Sequence, residues 1–111
     1  MSVYATLREA IINKKPCIIS KPGEPSRKVC PYRLGLSSKG DQNVIYYQYD
    51  GYTSHVGGLQ PDGSSDNWRC NHVADIDSAQ IVDESWHEPL VKPKTRGKCV
   101  VNQDVEVQYY D

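Results

Sequence analysis

Phenylalanine is absent from all 111 residues, so eight tyrosines and two tryptophans must supply the large rings of any core. No stretch approaches the roughly 18 consecutive apolar residues of a membrane span. The N-terminus also lacks the apolar h-region of a secretory signal. Both point to a cytoplasmic chain with no membrane association. Net charge is nearly absent too: 13 basic residues against 14 acidic ones leave −1, which excludes a chain-wide electrostatic attraction for nucleic acid. The four cysteines include no CxxC pair, so neither a zinc knuckle nor a dithiol motif is spelled out. Without a secretion signal, and with length enough for a core, four reduced thiols are expected. Cys17, Cys30 and Cys99 then act as small buried hydrophobes. Gly57-Gly58 lacks the strand–loop–helix setting of a phosphate loop or dinucleotide motif. Internal repeats and low-complexity tracts are missing as well.

What remains reads as one domain over 1–111. The pattern predicts a helix over 2–13: Leu7, Ala10 and Ile11 recur at helical spacing, Ser2 is suited to cap the start, and Pro16 cannot continue it. Short strands follow at Cys17–Ser20, at 27–36, at 44–49, at 68–73 and at 79–83. A turn fixed by Pro22, Gly23 and Pro25 separates the first two. Pro31 inside the second predicts an edge position or a bulge. Residues 50–67 form a long glycine-containing loop, 87–97 a connector, and 98–110 a final strand with period-two alternation. This is a mainly β fold with one N-terminal helix. A small SH3-like or Sm-like barrel, core about 16–85, is expected because closing the sheet removes its exposed edges.

Charge is uneven along the chain. Arg8, Lys14, Lys15, Lys21, Arg27, Lys28 and Arg33 fall in the first third, while Asp and Glu gather over 62–88. Two differently solvated faces account for this, and so does a local basic patch for a phosphate-bearing ligand. Cys70-Asn71-His72 is the one close Cys/His pair, and knuckle spacing is lacking, so no metal or cofactor is expected. A thiolate nucleophile built from Cys70 or Cys30 with His55 or His72 and Asp75 would need groups that nothing in the sequence forces together. A non-enzymatic chain is the expectation. Tyr47, Tyr49 and Ile45 share one face of their strand, and Tyr46 and Gln48 share the other. One face must be core. The other could offer a phenol ring and an amide, backed by Arg33 or Arg69, to a nucleobase, or the tyrosines could simply close the core.

Taken in order, Leu7–Lys15, Cys17–Ser20, the Arg27-x-Val29-x-Pro31 strand, Val44-Ile45-Tyr46-Tyr47 and Trp68–Ile76 resemble a WYL-type domain over roughly residues 5–85. Tyr46 falls at the tyrosine of the Trp-Tyr-Leu tripeptide and Tyr47 at its leucine. His72 and Asp75 stand where the family carries basic residues. The resemblance implies a small barrel that senses a ligand, commonly a nucleotide or nucleic acid, in regulators and defence systems. It carries over Arg27, Tyr46 and Arg69. With Arg33 and His72 these are the candidate binding residues of a stand-alone, bacterial or phage-type regulatory module for a nucleotide or single-stranded nucleic acid. The alternative is a protein–protein adaptor or homodimerising subunit that uses Val105–Tyr109 as its interface.

Overall fold

A computed structural model describes residues 2–53, 57–87 and 99–107. The helix α1 (Val3–Asn13) starts where Ser2 Oγ accepts the Ala5 N–H at 3.1 Å, as a serine N-cap should. It stops at Lys14, which is left-handed at φ 54°; the N–H groups of Lys14 and Lys15 return to the carbonyls of Ile11 and Ala10. Leu7, Ala10 and Ile11 are buried, the predicted apolar stripe. α1 lies against the sheet, and Tyr4 Oη and Arg8 Nε both donate to Asp104 on the last strand.

The strands are β1 (Cys17–Ser20), β2 (Arg27–Leu36), β3 (Gln42–Gly51), β4 (Trp68–His72), β5 (Ser78–Ile81) and β6 (Asn102–Glu106). All pairings are antiparallel, in the order β4-β3-β2-β1-β5, with β6 beside β2. β2 organises the sheet. β3 runs along one of its edges, while the other edge pairs with β1 over Arg27–Val29 and with β6 over Arg33–Leu36. Pro31 sits between those two stretches, at a register shift. A residue with no N–H to donate thus occupies the place where the outer partner changes. Gly35 lets β6 approach: a Cβ there would lie 2.2 Å from the Asn102 carbonyl oxygen.

Two expectations are corrected. The sheet is mainly β with one helix, as predicted, but it is open and not a closed barrel. β4 and β5 are its outer strands and do not pair with each other. Secondly, Cys70 and Cys99 form a disulfide, with Cα atoms 6.4 Å apart, whereas Cys17 and Cys30 stay outside it and are buried as expected. The register puts Cys70 on the outer strand opposite Ile45, and the chain returning toward β6 brings Cys99 to it. The Asn43 amide holds that return by donating to the Cys99 carbonyl at 2.8 Å. Of the two readings of the tyrosine-bearing strand, the core one holds: β3 is covered on both faces, and Val44 through Gln48 are all buried. β3 lies between β4 and β2, and the short turns at Ser65–Asn67 and Val73–Asp75 pack against it, so it presents no open ring-bearing face. Of the expected strand 98–110, residues 102–106 are strand, with Val105 half-buried and Val107, just beyond it, buried; residues 98 and 108–110 lie outside the described residues. Tyr109, His55 and nearly all of the 87–97 connector lie outside the described residues.

Candidate functional site

Arg27, Tyr46 and Arg69 come from three different strands and meet around one hydroxyl. Arg27 opens β2 and is only 3% exposed, an unusual state for a guanidinium. Its Nη1 donates to Tyr46 Oη at 3.2 Å and its Nη2 to Glu24 Oε1 at 2.8 Å. Among the described residues its Nε has no hydrogen-bond partner. Tyr46 passes the chain on by donating to Asn71 Oδ1 at 2.7 Å. Arg69 is the cross-strand partner of Tyr46 and adds positive potential to its hydroxyl. Its Nη1 donates to the carbonyls of Asp66 and Trp68. Burial pushes the Tyr46 phenol above its ordinary pKa, against the pull of Arg27. Burial also works to lower the Arg27 pKa, but the bonds to Glu24 and Tyr46 outweigh it and hold the group charged.

A half-exposed ring completes this network. Tyr52 lies with its centroid 5.7 Å from the Arg27 guanidinium carbon, within cation–π range. Its position is built from inside the protein. The buried Gln48 donates to the Tyr52 carbonyl at 2.7 Å and to the Asp50 carbonyl at 3.2 Å, and the Tyr52 N–H returns to Ser26. Gly51 makes the bend between them at φ 91°, where a Cβ would meet the Ser26 carbonyl oxygen at 2.6 Å. Glu24, Asn71 and Tyr52 are not among the sequence candidates, and Gln48, whose amide was expected to face a ligand, turns inward to position Tyr52. Only Glu24 carried a local signal, its spacing of three from Arg27 across a turn.

The other candidates lie apart. Arg33 is half-buried and clasps Glu106 of β6 through Nε, at 2.6 Å, and through Nη2. His72 is exposed at the end of β4, its Nδ1 2.7 Å from Asn43 Oδ1, in an open groove with Asp41 and Asp75. Cys70, the nucleophile weighed from the sequence, is committed to the disulfide. Among the described residues no group of His, Cys, Asp and Glu has the arrangement of a metal site.

A second polar cluster went unseen in the sequence. Tyr47 Oη donates to Asp62 Oδ1 at 2.7 Å and accepts the Gly63 N–H, while His87 Nδ1 lies 2.7 Å from Asp62 Oδ2. The His87 ring stacks on Tyr49 at 3.8 Å and 10°. Tyr32, Trp68, Trp86 and Tyr47 pack edge-on and tilted beneath it. These rings fill the volume that phenylalanine would fill elsewhere, and each polar end finds a partner: Trp86 Nε1 donates to Tyr32 Oη, which donates to the His87 carbonyl. Tyr47 is therefore core, and Tyr49 is partly buried against it.

Among the described residues no helix is long and apolar enough to cross a membrane. Comparison with protein-family models, curated proteins and solved structures finds no match for this chain.

Proposed function

We propose that this chain is a WYL-like, non-enzymatic binding module of bacterial or phage type whose ligand is a nucleotide or single-stranded nucleic acid. One observation carries it: Arg27, Tyr46 and Arg69, drawn from separate segments, converge around a single hydroxyl, with the Tyr52 ring at the outer side. In this reading the guanidinium groups take a phosphate, and Tyr52, 37% exposed, offers the face on which a base stacks. Arg33 and His72 contribute to the wider surface only. Residence in the cytoplasm is part of the proposal.

The test is fluorescence anisotropy of a short labelled oligonucleotide at low and high salt. Binding is expected to weaken as salt rises. Arg69→Ala and Tyr52→Ala should each lower the affinity about tenfold, the scale of one lost stacking or charged contact. No binding at low salt by the folded chain would overturn the nucleic-acid reading.

A further inference from the structure

We infer that Glu24 is the specificity-determining residue of that site, its carboxylate holding the seat that the ligand's phosphate takes. The inference rests on the binding reading above and adds the class of anion and the manner of entry. A guanidinium presents its donors in a planar fork, and the edge made by Nε and Nη2 directs two parallel N–H groups at one oxyanion. In Arg27 that edge is half used. Glu24 Oε1 takes Nη2 at 2.8 Å, while Nε, buried, has no partner among the described residues. The remaining nitrogen, Nη1, is engaged by Tyr46. A one-point contact on a two-point edge is a poor use of a buried cation.

Glu24 is also placed to leave. It belongs to the turn between β1 and β2, its side chain is 26% exposed against 4% for Arg27, and the turn is held at that residue by the Glu24 N–H on the Lys21 carbonyl. A phosphate monoester carries about −1.5 to −2 charge and three acceptor oxygens, so it can satisfy Nε and Nη2 together. A neutral ligand gains much less. Entry therefore exchanges one ion pair for a stronger, two-point one, and the swing of Glu24 to solvent opens the way to a guanidinium that is otherwise covered.

The experiment is calorimetric titration of the full chain with AMP, adenosine and inorganic phosphate, for wild type, Glu24→Gln and Glu24→Asp. Removing the competing charge in Glu24→Gln should tighten AMP about tenfold, the scale of a partly buried ion pair no longer displaced. Adenosine affinity should not change. Glu24→Asp, whose shorter arm holds the seat less well, should fall between, and it keeps the test alive if Glu24→Gln folds poorly. AMP binding seen only in the variants would support the inference as well. Wild-type binding of AMP with no tightening in either folded variant overturns the role of Glu24 and leaves the binding site standing. Equal tightening for adenosine overturns it too, because the effect would then not be at the phosphate. Failure of all folded variants to bind AMP or phosphate at millimolar concentration overturns the site itself.

Discussion

Asp62 and His87 stand 25 positions apart in the chain and meet at 2.7 Å, pinning the loop that carries Asp62 to the segment that carries His87, above the ring of Tyr49. Burial works to raise the Asp62 pKa, but the bonds from Tyr47 and His87 outweigh it and hold the carboxyl below its usual range. A folded-state pKa below the unfolded one contributes stability above the ordinary carboxylate value of about 3.9, and that contribution is lost as pH falls through the folded value. Asp62→Asn should therefore melt below wild type near neutral pH, and the gap should close as pH drops below about 4. Melting followed by circular dichroism across that range checks it; a gap that persists in acid would contradict the assignment.

Tyr46→Phe keeps the buried ring and deletes the hydroxyl that accepts from Arg27 and donates to Asn71. Two groups then lose a partner inside the fold, and the expected cost is about 1–3 kcal/mol. Urea denaturation measures it. A neutral result would mean that Arg27 and Asn71 find each other or water without loss.

The disulfide spans a sequence separation of 29 residues, and loop-closure entropy assigns such a link about 3–4 kcal/mol. Cys70→Ser/Cys99→Ser should lower the urea midpoint accordingly, and wild type with reductant should follow it. Thiol counting on denatured, unreduced protein should give two groups, those of Cys17 and Cys30. In the native state neither should react with iodoacetamide, since both are buried and burial pushes the Cys17 thiol up to about 12.

Gly51→Ala places a Cβ 2.6 Å from the Ser26 carbonyl oxygen at a φ of 91°. Gly23→Ala, at φ 75° with nothing within 4 Å, supplies the control for backbone strain alone. Strain should cost each variant about 1–3 kcal/mol, and Gly51→Ala should cost clearly more. Equal losses would show that the Ser26–Tyr52 junction gives way easily.

The regular elements were legible because their signals are local. Ser2, Lys14 and Pro16 bracket α1, and the prolines and glycine at 22–25 bound β1 and β2 to the residue. Pro31 announced the bulge, though only the topology shows that it marks a change of partner. The closed barrel was inferred from a need to hide edges, a need the chain meets with short outer strands and a cross-link. The cross-link itself depends on where residue 99 returns in space, which spacing does not encode. Arg27 reads as an exposed strand residue until Glu24, Tyr46 and Asn71 surround it, and Asp62 has no sequence relation to His87. Long-range polar pairs of this kind leave no periodicity to read.

The shared outer edge of β2 also sets an order in time. β1, β2 and β3 are adjacent in sequence and can pair as soon as residue 51 is available, but the half of the edge beyond Pro31 waits for β6, which is encoded at 102–106. During synthesis, at about 5–20 residues per second, that half-edge stands open for several seconds while the intervening chain is made. The gap beside Gly35, shaped for the backbone of Asn102, is then a template that any extended segment could enter. The growing chain is most exposed to misassembly there, and a chaperone that covers bare strand edges would have its greatest effect on yield.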